Sequence, residues 1–126
     1  MLDRPRSGGT TLPLAALLLL ASCAGPVRDP STLEAIRTEA LHLAASHPID
    51  PKDGWADVAK SELPPVIASL HPVMVTVSRW GVHIMTKPDF DGGWGYEIPL
   101  HGKQDLSMPP GCYSEPGPGV FWHGPC

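Results

Sequence analysis

The stretch that decides the fold is Val73-Met74-Val75-Thr76-Val77, followed after Ser78-Arg79-Trp80-Gly81 by Val82-His83-Ile84-Met85-Thr86. Both runs are rich in β-branched residues, and Gly81 sits between them, so they predict two strands of a hairpin. The register follows from the side chains. An even-length connection around Arg79–Val82 puts Val73, Val75, Val77, Ile84 and Thr86 on one face. Met74, Thr76, Ser78, His83, Met85 and Lys87 then share the other. An odd connection would set Val77 against His83 and Val73 against Lys87. A slip of one residue exchanges the two faces of a strand, so the even connection is favoured.

Downstream, residues 88–93 (Pro-Asp-Phe-Asp-Gly-Gly) read as a turn-rich loop. Trp94, Tyr96 and Ile98 then alternate with Gly95 and Glu97, which predicts a third strand, and Pro99 places its end at a sheet edge. Upstream, Leu33, Ile36, Ala40, Leu43 and Ala44 recur at helical spacing. They predict an amphipathic helix of about four turns ending near Ser46, before Pro48. Its start is either a capping box from Ser31 to Glu34 or an Asp29 cap with Pro30 at the first helical position. Glu34, Thr38 and Glu39 read as its solvated face. Trp55 to Glu62 predicts a short second helix with Trp55, Val58 and Ala59 inward, broken by Pro64-Pro65. Another helical turn follows through Leu70. All the aromatic residues lie between Trp55 and Trp122, which places the packed core there, with the alanine-rich helix laid across it. The expected fold class is α+β: an N-terminal helix, a short second helix, a small antiparallel sheet of about three strands, and a Pro/Gly-rich stapled tail.

Residues 1–22 have a different character. Arg4 and Arg6 precede an apolar run from Leu12 to Ala21 containing Leu17-Leu18-Leu19-Leu20. That run is about half the roughly twenty residues a spanning helix needs, and Pro13 weakens it further as a permanent helix. A basic start, a short apolar run and then small residues form an export signal. A buried core helix should carry a polar face, and this run has none. The segment Leu20-Ala21-Ser22-Cys23 resembles the lipobox of bacterial lipoproteins. The resemblance covers the first 23 residues only. It implies cleavage before Cys23 and a diacylglycerol thioether on its sulfur. It also implies an anchor in the cell envelope and, with Ala24 rather than aspartate following, an outer-membrane location facing the periplasm in a Gram-negative host. Two or more acyl chains anchor stably where one is marginal. The alternative is ordinary secretion with Cys23 as a plain cysteine. Residues 23–30 then form a lipidated tether, and 31–126 a single small domain.

Removing the first 22 of 126 residues leaves 104, and losing Asp3, Arg4 and Arg6 takes the net charge from −4 to −5. No cluster of Lys or Arg remains, which argues against a nucleic-acid groove and against an electrostatic membrane patch. With Cys23 lipidated, Cys112 and Cys126 remain as a pair in an oxidising compartment. An intramolecular bridge would staple the Pro/Gly-dense tail. Two free thiols or a bond to a partner are the alternatives.

The chemistry-bearing residues form no motif of catalysis. The chain has six histidines, but His42 and His47 diverge on a helix, and neither a His-Glu-x-x-His run nor a Cys-x-x-Cys pair occurs. Cys112, His123 and Cys126 with His101 could hold a metal, but a disulfide explains the cysteines more simply. No metal ligand and no cofactor is therefore expected. Asp89-Phe90-Asp91-Gly92-Gly93 begins like a calcium loop and then fails, with Gly93, Trp94 and Leu100 at the fifth, sixth and twelfth positions. There is no Gly-x-Ser-x-Gly elbow, and no catalytic residue is assigned. Trp80, Phe90, Trp94 and Tyr96 form the candidate binding surface, unless they fold back into the core. The expectation is a non-enzymatic, lipid-anchored protein that binds an envelope protein or the cell wall through this aromatic face. The alternatives are an inhibitor or immunity-type module, and a small cell-wall hydrolase using Asp89, Asp91 or Glu97.

Overall fold

The computed structural model describes residues 25–126. The export signal, the lipobox and Cys23 lie outside the described residues. Helix α1 (Pro30–Ser46) begins where the Asp29 carboxylate accepts bonds from the Thr32 amide and the Ser31 and Thr32 hydroxyls. Of the two caps, Asp29 with Pro30 is the one that forms. Those bonds hold the Asp29 carboxyl below its usual pKa. Leu33, Ile36, Ala40 and Leu43 are the buried residues of α1, as the periodicity requires.

Six antiparallel strands form one sheet: β1 (Trp55–Asp57), β2 (Met74–Ser78), β3 (Gly81–Lys87), β4 (Trp94–Pro99), β5 (Tyr113–Gly117) and β6 (Val120–His123). Their order is β1-β2-β3-β4-β6-β5. The β2–β3 hairpin has the even connection, with Val77 opposite Val82 and Val75 opposite Ile84. Val75, Val77, Val82, Ile84, Tyr96, Ile98 and Val120 are buried in one core cluster with the apolar side of α1. The helix lies across β2 to β6.

Four expectations are corrected. The sheet has six strands rather than about three. Trp55 is half exposed on β1 instead of inward on a helix, because Trp55–Asp57 pairs with the open edge of β2 and the Val58 amide continues the ladder to Val75. Only Lys60–Glu62 of that segment is helical, as a single 3₁₀ turn. The further turn does form, as α2 (Pro65–Ser69). The third correction is the tail, whose density of proline and glycine promises little regular structure and which is a hairpin. Pro118-Gly119 makes its two-residue turn, with φ +74° at Gly119, a conformation glycine adopts without strain. Pro116 sits in a bulge of the edge strand β5, where a missing amide proton costs little. Prolines and glycines here punctuate strands. Since β6 lies beside β4, Pro99 ends an interior strand, opposite Gly81, and marks no sheet edge. Cys112 and Cys126 are joined as a disulfide across this hairpin.

Two local findings were not anticipated. Glu39 is not a solvated-face residue: its carboxylate accepts from the Val66 and Ile67 amides, capping α2 from another helix. Glu39→Ala is expected to destabilise the fold by about 1–2 kcal/mol, as cap removals do, measured by urea unfolding. The tether is also not free to its end, since the Val27 amide donates to the Tyr96 hydroxyl at 2.8 Å and Val27 packs on the core. Among the described residues, no helix is long and apolar enough to cross a membrane.

Candidate functional site

The face of the sheet away from α1 carries the polar side chains. In adjacent registers, Thr76 lies opposite His83, His83 opposite Glu97, and Glu97 opposite Phe121. One pleat along, Gly95 faces His123, and His123 faces Tyr113. The chain crosses from β4 to the far edge strand β5 through residues 100–112, and Ser107 and Met108 come down on this face.

At its centre the Nε2 atoms of His83 and His123 face each other at 2.9 Å. The Glu97 carboxylate lies 4.0 Å from His123 Nε2. It accepts from the Tyr113 hydroxyl at 2.6 Å, the Ser107 hydroxyl at 2.8 Å and the Ser107 amide at 3.2 Å. His123 Nδ1 is 3.1 Å from the Gly124 carbonyl oxygen. A carbonyl only accepts, so this bond places a proton on Nδ1 and leaves the Nε2 lone pair of neutral His123 pointing at His83. Burial holds the His83 imidazole below its usual pKa; the Glu97 carboxylate opposes that shift, and His123 adds to it. Burial and the bond to Glu97 both raise the Tyr113 phenol. One ligand atom from each of His83, Glu97 and His123 lies within 4.8 Å of the others, so the three could hold a metal ion.

His83 and Glu97 also line a cleft of about 440 Å³ between β2, β3, β4 and the 104–107 segment. Thr76, Ser78, Gln104 and Asp105 contribute polar groups to its wall, and Trp80 contributes an aromatic ring.

The four aromatics expected to form one binding surface do not share one. Trp80, in the β2–β3 turn, is 56% exposed and lines the cleft. Phe90 is 99% exposed in the β3–β4 loop, at the opposite end of β3. Trp94 carries the Lys87 ammonium over its ring at 4.7 Å. Tyr96 is only 2% exposed and stacks edge-on against Trp122 in the core. Tyr96 alternates onto the α1 face together with Ile98, so it is a core residue. The three carboxylates of the hydrolase alternative do not meet either: Asp89 and Asp91 are exposed in a loop, whereas Glu97 is buried in β4. The alternative metal set fails as well, because its two cysteines are bonded to each other and His101 pairs with Asp105. The alternation in β3 and β4 placed His83 and Glu97 opposite the core, and nothing in the spacing signalled that His123 would join them. No protein-family model matches the chain, and neither a curated protein nor a solved structure shows significant similarity to it.

Proposed function

We propose that this chain is a lipid-anchored envelope protein that binds another envelope component at the Trp80 side of its cleft. The binding role is a recognition role rather than catalysis. The observation that carries it is Trp80, a large aromatic left exposed on the wall of a polar cleft. Exposed tryptophans beside concave surfaces are common anchors at interfaces. Trp55 is also half exposed, and register sets it opposite Ser78, another residue of the cleft wall.

The anchor rests on the lipobox resemblance of Leu20 to Cys23. Val27, the first described residue packed on the core, is four residue steps along the chain from Cys23. An extended chain covers about 3.5 Å per residue, so a lipidated Cys23 holds the domain within roughly 14 Å of its anchor point. The bound component is therefore one that lies close to the membrane surface.

The test uses the protein in its native envelope. Intact mass after membrane extraction should equal residues 23–126 plus acyl lipid, and in situ crosslinking should capture a partner. Trp80→Ala is expected to lose the crosslink while melting at the same temperature. A lipid-free mass overturns the anchor. Capture that survives Trp80→Ala overturns the binding surface.

A further inference from the structure

We infer that His83, Glu97 and His123 form a zinc site, with the fourth position of the ion open toward the cleft. Two imidazole nitrogens and one carboxylate oxygen are a donor set of open zinc sites, in which water or a bound molecule completes a tetrahedron.

Three features of the cluster point to a cation. The first is charge. Glu97 is 9% exposed, and among the described residues no Lys or Arg forms an ion pair with it; its three donors are the neutral groups of Ser107 and Tyr113. Buried carboxylates are otherwise paired or bound to metal. The second is donor orientation. The Gly124 carbonyl fixes His123 as the Nδ1–H tautomer, and its Nε2 lone pair faces His83 Nε2, 2.9 Å away. Hydrogen bonding of the distal ring nitrogen to a carbonyl is how ligand histidines are oriented. The third is remaining capacity. A carboxylate offers about four acceptor positions; Oε2 accepts from the Tyr113 and Ser107 hydroxyls and Oε1 from the Ser107 amide, so the position left for an ion is on Oε1. Tyr113 and Ser107 then orient the carboxylate as outer-shell partners orient metal ligands.

The distances allow it. Tetrahedral zinc with bonds of about 2.0–2.2 Å separates its donors by roughly 3.3 Å. The donor atoms here lie between 2.9 Å and 4.8 Å apart, so small side-chain rotations suffice. Among the described residues no thiolate is available to this ion, since Cys112 and Cys126 are joined. The inference stands apart from the partner and the anchor proposed above, because zinc binding is read on the purified chain.

The full chain, extracted in detergent with its disulfide intact, would be stripped with EDTA. It would then be titrated with zinc chloride against a chromophoric chelator while its melting temperature is followed. The expected result is one zinc per chain and a raised melting temperature. His83→Gln, at a half-buried position, should abolish both. Tyr113→Phe keeps all three ligands and should weaken binding by about 10–100-fold, which keeps the test decisive if His83→Gln folds poorly. Thr38→Ala, on the exposed side of α1, should bind zinc like the parent chain. No uptake by the parent chain overturns the site and leaves a hydrogen-bonded histidine pair in its place. Equal uptake by His83→Gln also overturns it, because zinc would then sit elsewhere, and unchanged affinity in a folded Tyr113→Phe overturns it because the carboxylate that Tyr113 holds would then not be a ligand.

Discussion

Removing the Cys112–Cys126 bridge is expected to lower the unfolding free energy by about 3 kcal/mol, the chain-entropy value for a loop of about 15 residues. In a domain of this size that is a fall of roughly 10–20 °C in melting temperature. The large effect follows from what the loop contains. The bridged residues are 14 apart in sequence, and the whole β5–β6 hairpin lies between them. β6 is an interior strand, set between β4 and β5. It contributes Val120 and Trp122 to the helix-facing core, and His123 to the opposite face. Without the bridge, the unfolded chain regains the freedom of this segment, and the carboxy-terminal strand is held by its pairing and by the packing of Val120 and Trp122 alone. The double variant Cys112→Ser/Cys126→Ser avoids free thiols, and urea unfolding beside the parent chain gives the difference. A loss under about 1 kcal/mol would show that the hairpin is already ordered in the unfolded chain, and the entropic account would fall.

Ile36→Ala is expected to cost about 2–5 kcal/mol, the range for truncating a fully buried aliphatic side chain. Ile36 is 0% exposed at the centre of α1, in one cluster with Val75, Val77, Ile84 and Ile98 of the sheet. Alanine is the best helix former, so the substitution favours the helix itself. The whole loss is then assigned to packing between helix and sheet. Thr38→Ala, on the exposed side of the same helix, is the control and should stay within about 0.5 kcal/mol. Equal losses for the two variants would mean that the helix contributes through its own stability rather than through the core.

These two results bear on different parts of what could be read from the chain. The helix was legible because a period of 3.6 residues, a cap and a following Pro48 agree. The central hairpin was legible because one buried face tolerates only one register of Val75, Val77, Val82 and Ile84. Where such a signal was weak, the reading failed. Trp55-Ala56-Asp57 has no alternation long enough to call a strand, and it became one because β2 left an edge unpaired. The prolines and glycines of the tail promise little regular structure, yet those residues occupy a bulge and a turn. Glu39 looks like any exposed helix residue until the amides of Val66 and Ile67 arrive from α2.

The candidate site divides along the same line. Residue alternation along the chain was enough to put His83 and Glu97 on the face away from the core, because strand side chains point to opposite faces in turn. Local sequence also specified the helix and the central register, whereas the pairing of Cys112 with Cys126 was one of several alternatives until the fold joined them. Only the folded sheet decided that His123 would stand beside His83 and Glu97. That depends on β6 entering between β4 and β5, an order set by the chain crossing through residues 100–112 to the far edge. Local sequence encodes which way a side chain points through a period of two or 3.6 residues. Which strand becomes the neighbour is settled by the burial of the whole helix-facing surface at once, and no short stretch carries that information.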